Sequence, residues 1–432
     1  MNAAISLAPA RGARGTLTLP GSKSISNRVL LLAALARGTS TLHDVLDADD
    51  TRVMLAALRA LGVVITEDAA AHTLNVAGVG GRFAASAADL NLGNAGTAMR
   101  PLTAALAMGS GHYGVDGVAR MRERPIGDLV DALRGLGATI AYGGTQGYPP
   151  LAIGRLVERD IDGVDIRGDV SSQFLSALLM ALPVHPAHSR RSLTVRVTTP
   201  LISRPYVEIT TRLMQRFGVT VGMPDPSTFV VPAGEGYLSP QRVDVEGDAS
   251  SASYFLAAGV LGGGPVRVQG VGRTSIQGDI AFADILAQLG ADVRFEDHAI
   301  EARRGRPMTG ATIDCTAIPD AAMTLAMIGL FATSPLTLTQ IGSWRVKETD
   351  RIAAMATELA KLGAAVEQGP DWLRVSPLTA WRAAAIDTYD DHRMAMCFSL
   401  AAFGNAGVTI NDPDCVNKTF PAYFGEFRKL LQ

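Results

Sequence analysis

A single pattern recurs six times along this chain, at intervals of about 70 residues. In each copy a strand-like run leads through a short loop of Gly, Ser, Asp or Asn into a helix rich in Ala, Leu and Met. Self-similarity at a fixed period predicts that every copy folds into the same supersecondary unit. The six copies are Leu19–Ala36, Leu90–Leu106, Val164–Leu182, Val243–Gly259, Thr312–Leu330 and Ala385–Phe403.

A second helix follows in each copy. In Leu129–Ile140 and Ala283–Val293, apolar residues recur at i, i+3, i+4 and i+7, the spacing of a helix with one buried face. A β-rich run comes next, such as Val63–Ile65 or Val219–Val221, and the sixth copy keeps only the shortened second helix Ala422–Leu431. The second helices are predicted to stop where glycine can enter the left-handed region, at Gly62, Gly137, Gly218, Gly290 and Gly363. The unit is therefore predicted as βαβαββ, which makes the chain an α/β protein.

Length and charge limit the number of domains and the kinds of partner. A chain of 432 residues exceeds one ordinary core, so two domains of three units each are expected. The 39 Lys and Arg residues nearly balance the 41 Asp and Glu residues, for a net charge of −2. Such a balance gives no general attraction to nucleic acid or to a membrane surface, so any basic site has to be local.

The sequence favours the cytoplasm and predicts neither a metal nor a cofactor. No apolar run reaches the roughly 18 residues of a membrane span, and Met1–Ala10 lacks the basic start of a signal peptide. Cys315, Cys397 and Cys415 are odd in number and lack C-x-x-C spacing, which suits a reducing compartment. Gly109–Gly114 fits G-x-G-x-x-G, but it follows a helix and precedes a strand, the reverse of a dinucleotide fingerprint.

Three of the first-helix loops combine polar groups with a predicted helix N-terminus, which attracts anions. Gly21–Arg28 brings Lys23, Ser24 and Arg28 to one helix start, although an ordinary Ser cap with solvated cations would also explain it. Leu92–Pro101 carries Asn94 and Gly96, where a tight turn would explain the glycine. The third loop offers Ser171, Ser172 and Gln173, whereas Ser250-Ser251 in the fourth copy is interpreted as helix capping.

Further cations recur at the start of the second helices. Arg124 ends a cluster with Arg120 and Arg122, Arg204 follows Ser203, and Lys418 precedes Thr419. Lys347 and Arg351 lie one turn apart. Isolated surface cations are usually solvated, but their repeated position at one joint of the unit favours a site for a small molecule with several negative charges.

Two carboxylates stand within this basic background. Asp320 is at a predicted helix start and Glu348 lies between Lys347 and Arg351. A helix cap would explain Asp320 and an ion pair would explain Glu348; proton transfer is the alternative, since a carboxylate beside an anion site otherwise repels the ligand. His392, between Asp391 and Arg393, is a third candidate, although a single histidine beside an Asp is more often structural than catalytic.

These motifs, in this order, resemble the 5-enolpyruvylshikimate-3-phosphate (EPSP) synthase family over essentially the whole chain. They are PGSKSISNR (Pro20–Arg28), LGNAGTAMRP (Leu92–Pro101), RMRERPIGDLVDAL (Arg120–Leu133), SSQFL (Ser171–Leu175), GDASSASYFLAA (Gly247–Ala258), IPDAAMT (Ile318–Thr324), WRVKETDR (Trp344–Arg351), YDDHRMAMCFSL (Tyr389–Leu400) and KTFPAYF (Lys418–Phe424). The resemblance implies the two-domain enolpyruvyl transferase fold, with three repeats per domain around an interdomain cleft. Residues 1–20 with 245–432 would form one domain and residues 21–244 the other.

The family transfers the enolpyruvyl group of phosphoenolpyruvate to the 5-hydroxyl of shikimate-3-phosphate and releases phosphate, on the shikimate pathway to chorismate and the aromatic amino acids. By resemblance, Asp320, Glu348, Lys23, Lys347 and His392 would be catalytic. Shikimate-3-phosphate would contact Lys23, Ser24, Arg28, Ser171, Ser172, Ser203, Tyr206, Asp320, Ser343 and Lys347. Phosphoenolpyruvate would contact Lys23, Asn94, Gly96, Arg124, Gln173, Arg351, Arg393 and Lys418. Ser343 stands where family members often have Asn.

The sequence leaves two other functions to be considered. A related enolpyruvyl transferase acts on UDP-N-acetylglucosamine, but its mobile loop usually carries a reactive Cys, and Gly117–Pro125 has none. A two-domain anion-binding protein without chemistry would have no use for Asp320 and Glu348. The resemblance further implies a monomer that needs no cofactor and is inhibited by glyphosate in competition with phosphoenolpyruvate.

Overall fold

The computed structural model describes residues 3–432 and divides into two compact units. One unit comprises the chain up to Pro20 together with Glu246–Gln432, and the other is Gly21–Val245. The chain passes from one unit to the other at Pro20–Gly21 and again at Val245–Glu246.

Within residues 3–432 there are twelve α-helices, which alternate between the first and the second helix of a repeat. They are α1 (Lys23–Leu35), α2 (Asp49–Ala60), α3 (Gly96–Ala107), α4 (Gly127–Gly135), α5 (Ser172–Ala181), α6 (Arg204–Arg216), α7 (Ala249–Gly262), α8 (Ala281–Leu289), α9 (Ala322–Gly329), α10 (Arg351–Lys361), α11 (His392–Phe398) and α12 (Tyr423–Leu430). None of the helices in the described part of the chain is long and apolar enough to cross a membrane.

The strands of residues 3–432 form six small sheets, three in each unit. In chain order they are β1 (Ala4–Leu7), β2 (Ala13–Thr18), β3 (Arg37–His43), β4 (Val64–Asp68), β5 (Thr73–Val79), β6 (Ala87–Asn91), β7 (His112–Asp116), β8 (Ile140–Tyr142), β9 (Leu151–Ile153), β10 (Gly163–Ile166), β11 (Leu193–Val197), β12 (Gly222–Asp225), β13 (Thr228–Val231), β14 (Arg242–Asp244), β15 (Gly263–Gln269), β16 (Asp292–Phe295), β17 (Ala299–Arg303), β18 (Thr312–Asp314), β19 (Leu336–Thr339), β20 (Val366–Gln368), β21 (Leu373–Val375), β22 (Ala384–Ile386) and β23 (Val408–Asn411).

A common strand order confirms the predicted α/β class with repeated units. In β6-β7-β9-β8, the first two strands are parallel and flank α3, and the last two pair antiparallel. The sheets β10-β11-β13-β12 and β18-β19-β21-β20 follow the same order. A parallel pair needs a crossover connection, which the first helix of each unit supplies.

The strands that precede α1 and α7 in the sequence are exchanged between the units, as the domain bounds implied by the resemblance require. β2 precedes α1 but pairs in parallel with β15, next to α7. β14 precedes α7 but pairs in parallel with β3, which follows α1. The exchange corrects the reading of Val243–Gly259 as one folding unit: its strand lies in one unit of the molecule and its helix in the other.

The sixth sheet is completed by the N-terminal strand. β22 and β23 are parallel, and β1 pairs antiparallel with β23 from Ala4↔Asn411 to Leu7↔Val408. β1 thus takes the place that β9 has beside β7. The shortened second helix of this copy, predicted as Ala422–Leu431, is confirmed as α12.

The predicted glycine stops are confirmed, since all five glycines have positive φ directly beyond a second helix. Gly62 has φ +89° and Gly290 has φ +132°. Such angles are unfavourable for residues with a Cβ, so the glycine ends the helix and lets the chain turn back to the sheet. The strand predicted at Val219–Val221 is displaced, and β12 begins at Gly222.

The first helices form the interior of each unit and the second helices cover it. All residues of α1 except Ser24 are buried, and in α7 every residue from Ala249 to Leu261 is buried. In α6, by contrast, only one face is buried, including Val207 and Leu213. Small side chains permit this close packing, and the polar residues at the ends of the first helices are therefore held rigidly.

Candidate active site

The predicted site residues fall into two groups, one in each unit. The Lys23 cluster comprises Lys23, Arg28, Asn94, Gly96 and Arg124 with their contacts, all within Gly21–Val245. The Arg351 cluster lies within Glu246–Gln432 and comprises Asp320, Lys347, Glu348, Arg351, Asp391 and Arg393.

Lys23 is the first residue of α1, as predicted, and is only 7% exposed. Its Nζ lies 3.5 Å from Oδ2 of Asp50, a carboxylate that is itself buried at the start of α2. A lysine rarely occupies such a position without a partner for its charge. Asp50 therefore orients the ammonium, a role that sequence reasoning missed because an Asp in the first turn of a helix has an ordinary explanation in the helix dipole.

Arg28 is held by neutral groups. Its Nε donates to Oγ1 of Thr210 (2.8 Å), its Nη1 to the carbonyl of Ser24 (2.8 Å) and its Nη2 to the carbonyl of Tyr206 (3.3 Å). Burial lowers the pKa of Arg28 to about 10, and the Coulomb interaction with Tyr206 acts in the opposite direction. A guanidinium so placed, with neutral partners, is suited to an anionic ligand.

Asn94, Gly96 and Arg124 meet at the start of α3. Nη1 of Arg124 donates to the backbone carbonyl of Asn94 (3.0 Å) and to its Oδ1 (3.1 Å). Arg100, one turn into α3, donates through Nη2 to the carbonyl of Pro125 (2.9 Å) and so fixes the segment that carries Arg124. A Cβ built on Gly96 would lie 2.7 Å from Nη2 of Arg124 and 3.0 Å from Nη1 of Arg100. Glycine is needed here because two guanidinium groups approach the backbone.

The serine motif opens α5 as predicted. Ser171 is the N-cap, and its hydroxyl accepts a hydrogen bond from the backbone N–H of Gln173 (3.2 Å). Ser172 is buried at the first helical position. Ser203 precedes α6 in the left-handed conformation, with φ +49°, and Tyr206 lies in the first turn of that helix. Hydroxyls at two helix starts thus belong to the unit that holds Lys23 and Arg28.

Arg351 is the centre of the second cluster and is 1% exposed. Its Nε donates to Oδ2 of Asp391 (2.7 Å), its Nη1 to Oδ1 of Asp320 (3.0 Å) and its Nη2 to Oε2 of Glu348 (2.9 Å). The three carboxylates outweigh the effect of burial and raise the pKa of Arg351 above its ordinary value.

Asp320 bridges Arg351 to two further cations. Its Oδ2 accepts a hydrogen bond from Nη2 of Arg393 (3.0 Å), and Nζ of Lys347 lies 3.6 Å from its Oδ1. Arg393 also donates through Nη1 to the hydroxyl of Tyr254 (3.1 Å). Asp320 is not the N-cap of α9, because Ala321 takes that position, and its carboxylate is bound to Arg351 and Arg393.

The remaining predicted residues lie around this cluster. His392 is completely buried, with Nδ1 3.5 Å from Oδ1 of Asp391. Lys418 is 8% exposed at the end of a 3₁₀ turn, Pro413–Lys418. Ser343 is partly buried in another 3₁₀ turn, Gly342–Val346.

Asp279 is a buried carboxyl that sequence reasoning missed. Its Oδ2 accepts a hydrogen bond from Ser250, and burial together with the charge of Asp320 raises the pKa of Asp279 to about 7. The motif Gln277-Gly278-Asp279 gives no local signal of burial.

The interpretation of Ser250-Ser251 as helix capping is corrected by the structure. Asp248 caps α7, because its carboxylate accepts from the backbone N–H of Ser251 (2.7 Å).

The two clusters differ in electrostatics. In the Arg351 cluster, Asp320, Glu348 and Asp391 match the three cations Lys347, Arg351 and Arg393 in number. In the Lys23 cluster, Arg28 and Arg124 donate hydrogen bonds to neutral hydroxyl, carbonyl and amide oxygens. The cations of the Arg351 cluster are thus paired with carboxylates, whereas Arg28 and Arg124 are bound to neutral oxygens.

Comparison with known proteins identifies relatives of the whole chain. The family model for EPSP synthase (3-phosphoshikimate 1-carboxyvinyltransferase) matches residues 8–427. A protein of Ralstonia nicotianae named 3-phosphoshikimate 1-carboxyvinyltransferase is 61% identical over 430 residues, which cover 98% of both chains. A protein of Laribacter hongkongensis with the same name is 60% identical over 432 residues, which cover 99% of both chains.

Solved structures agree with this match. EPSP synthase from Acinetobacter baumannii is similar with a TM-score of 0.80 and 26% identity, over 99% of this chain and 98% of that one. The enolpyruvyl transferase NikO from Streptomyces tendae is similar with a TM-score of 0.76 over 100% of this chain and 98% of that one. At 18% identity, NikO supports the fold alone.

Proposed function

The chain belongs to the EPSP synthase family of enolpyruvyl transferases, and from this premise we propose how its residues carry out the family reaction. The substrates are shikimate-3-phosphate and phosphoenolpyruvate, and each carries a phosphate and a carboxylate. The 5-hydroxyl oxygen attacks C2 of the enol while C3 gains a proton. The tetrahedral intermediate then loses inorganic phosphate as C3 gives up a proton, which restores the double bond.

The residues proposed to bind each substrate are those that the family resemblance implies. Shikimate-3-phosphate is held by Lys23, Ser24, Arg28, Ser171, Ser172, Ser203, Tyr206, Asp320, Ser343 and Lys347. Phosphoenolpyruvate is held by Lys23, Asn94, Gly96, Arg124, Gln173, Arg351, Arg393 and Lys418. The neutral partners of Arg28 and Arg124 support their part in binding, because the positive charge of each guanidinium is available to a phosphate or carboxylate.

Asp320 is the group that accepts the 5-hydroxyl proton, with Lys347 beside it. Its carboxylate receives hydrogen bonds from Arg351 and Arg393 at 3.0 Å each. A proton on Asp320 would weaken both ion pairs. The two guanidinium groups would then interact more strongly with the charge that develops on the phosphoenolpyruvate portion. Proton removal and anion stabilisation are coupled through one carboxylate in this proposal.

Glu348 delivers the proton to C3, and His392 supports it. Glu348 is 8% exposed and its Oε2 accepts from Arg351 at 2.9 Å, so both proposed proton-transfer groups share one guanidinium. The shared guanidinium holds the two carboxylates at a fixed separation, which positioned acid–base catalysis requires.

The observation that carries the proposal is the pair of buried carboxylates within a cationic cluster. Asp320 is 9% exposed and Glu348 is 8% exposed, and both are bound to Arg351. A protein that only bound anions would bind them more tightly without these two charges. Their retention beside Lys347, Arg351 and Arg393 is explained by proton transfer.

The test measures phosphate release from phosphoenolpyruvate by the purified protein. We expect release that depends on shikimate-3-phosphate, with none when UDP-N-acetylglucosamine replaces it. Release with the nucleotide sugar would assign the chain to the other enolpyruvyl transfer, and binding of both anions without release would leave only an anion-binding protein. An Asp320→Asn variant, which keeps the shape, is expected to bind shikimate-3-phosphate and release little phosphate.

Further properties belong to the same proposal. We expect the enzyme to work in the cytoplasm, which suits three cysteines that form no disulfide. We also expect a monomer, to be measured by light scattering. Glyphosate should compete with phosphoenolpyruvate for the same cations.

A further inference from the structure

A strained turn lies directly before the Arg351 cluster. Tyr389 and Asp390 have φ of +55° and +53°, so two consecutive residues with side chains adopt the left-handed conformation. This conformation is uncommon outside glycine and persists only where the surrounding structure holds it. The next residue, Asp391, is the N-cap of α11 and the partner of Arg351.

The contacts that hold this turn converge on Glu358, which is completely buried. The Tyr389 hydroxyl donates to Oε1 of Glu358 (2.7 Å), and the backbone N–H of Asp387 donates to its Oε2 (3.1 Å). Nζ of Lys361 lies 2.7 Å from Glu358 and 2.8 Å from Oδ2 of Asp387. A buried carboxylate thus fixes both ends of a short segment.

Arg351 and Glu358 both belong to α10. They are seven positions apart, which places them on one face of the helix about 10 Å from each other. The segment Asp387–Asp391 is bound to Glu358 at its beginning and to Arg351 at its end. One rigid helix therefore holds the segment at two points, and the strained turn lies between them.

We propose that Glu358 and Tyr389 are positioning residues that set the place of Asp391 and Arg393 in the Arg351 cluster. The Tyr389 hydroxyl keeps the turn in its left-handed form. This conformation of the turn orients the start of α11, where the backbone N–H of Arg393 donates to Oδ1 of Asp391 (2.9 Å). The inference rests on the proposed role of Arg393 in binding phosphoenolpyruvate.

The protonation of Tyr389 agrees with this assignment. Burial, followed by the hydrogen bond to Glu358, raises the pKa of Tyr389 to about 12. The phenol therefore remains a hydrogen-bond donor throughout the working pH range. The ring is 43% exposed, so removal of the hydroxyl leaves no cavity in the core.

The test compares Tyr389→Phe with wild type in steady-state kinetics of the full chain. We expect KM for phosphoenolpyruvate to rise roughly fivefold, the effect of one hydrogen bond, with KM for shikimate-3-phosphate nearly unchanged. The unfolding temperature should fall only modestly, because Glu358 loses one hydrogen bond but keeps its contacts with Asp387 and Lys361. Tyr148→Phe, in a partly exposed loop of the other unit, is the matched control and should leave every value unchanged. Tyr389→Phe should add little to a Glu358→Met variant, because Met has no oxygen to accept from the Tyr389 hydroxyl and both changes break the same contact.

Two outcomes overturn the inference. The first is a Tyr389→Phe variant with wild-type KM for phosphoenolpyruvate and wild-type stability. The second is a variant that unfolds at a lower temperature but keeps the wild-type KM for phosphoenolpyruvate. An Arg393→Lys variant distinguishes a wrong positioning role for Tyr389 from a wrong binding role for Arg393. If Arg393→Lys leaves KM for phosphoenolpyruvate unchanged, the binding role of Arg393 is wrong; if it raises KM and Tyr389→Phe does not, only the positioning role is wrong.

Discussion

Arg351 and Asp391 form a doubly hydrogen-bonded ion pair in which neither side chain is more than 1% exposed. Nε of Arg351 lies 2.7 Å from Oδ2 and Nη2 lies 3.2 Å from Oδ1. Charges removed from water in this way need close partners, and the geometry provides them on both sides of the guanidinium. The pair joins the start of α10 to the start of α11 and holds the other members of the Arg351 cluster in place.

Replacement of Asp391 by Asn should therefore destabilise the protein strongly. Loss of one partner from a buried ion pair typically costs about 3–5 kcal/mol, because the remaining charge stays buried. Since Asp320 and Glu348 still bind Arg351, we expect a loss near the lower end of this range. Asn still caps a helix well, so the start of α11 should persist. Urea denaturation monitored by circular dichroism measures the free energy of unfolding.

The matched control is Asp244→Asn, which breaks an ion pair with Arg242 (2.8 Å) at a site where both side chains are largely exposed. Exposed pairs contribute little, so this change should hardly affect unfolding. If the two variants lose equal stability, burial of the Arg351–Asp391 pair has no energetic consequence.

Glu348→Gln should remove chemistry and spare binding. The amide keeps the size of the side chain and an oxygen to accept from Arg351, but it cannot supply the proton that C3 requires. Loss of one positioned acid reduces turnover by about 10²–10⁴-fold. Turnover rates and the calorimetric dissociation constant of shikimate-3-phosphate measure the two effects. Near-normal turnover would exclude Glu348 from proton transfer.

Local sequence indicated the candidate cations and some of their partners. Lys23 and Arg351 are the first residues of α1 and α10, and Arg28 lies about one turn further along α1. Asp320 and Glu348, both named from the sequence, are bound to Arg351. Asp50, Asp279 and Glu358 were missed, because each acts through burial beside a residue from another segment. Burial of a carboxylate depends on tertiary contacts, and a local pattern of residue types does not encode them.

The fold shows the same limit. The βαβαββ unit followed from residue spacing, yet β2 pairs with β15 and β14 pairs with β3. In sequence the six units present similar strands, so a local pattern does not distinguish the sheet edge that a given strand joins. The exchange is determined by where the chain passes between the units, at Pro20–Gly21 and Val245–Glu246.

Asp279 should make stability depend on pH. Its pKa is raised from 3.8 to about 7 in the folded chain, so between these values the folded state binds a proton that the unfolded state has released. The contribution of Asp279 to the free energy of unfolding therefore falls as pH rises from about 4 to about 7, by up to ~4 kcal/mol at 1.36 kcal/mol per pKa unit. Below pH 4 both states are protonated and the penalty is absent.

Asp279→Asn should remove this dependence while it keeps an acceptor for Ser250. Its stability relative to wild type should increase from pH 4 to 7 and level off above that. Asp284→Asn, at an exposed position of α8, is the control and should differ from wild type by a constant amount. If the free energies of unfolding of wild type and Asp279→Asn change in parallel from pH 4 to 7, Asp279 is ionised over this whole range.

Gly96→Ala should discriminate between glyphosate and phosphoenolpyruvate. The new methyl group would lie 2.7 Å from Nη2 of Arg124, closer than atoms in contact can be, so the guanidinium has to shift away from Asn94. Both ligands should bind less well as a result. Glyphosate is the longer ligand and should also clash with the methyl group itself, and a clash with one ligand alone is an effective source of specificity.

The ratio of the glyphosate inhibition constant to KM for phosphoenolpyruvate separates these two effects. The displacement of Arg124 weakens both ligands and leaves the ratio nearly unchanged, as Arg124→Lys should demonstrate. The direct clash raises the ratio, and we expect an increase of roughly tenfold or more for Gly96→Ala, equivalent to about 1.4 kcal/mol of discrimination. An equal loss of both ligands would mean that the methyl group acts only through Arg124. A wild-type enzyme that glyphosate does not inhibit would mean that Gly96 does not face the phosphoenolpyruvate site.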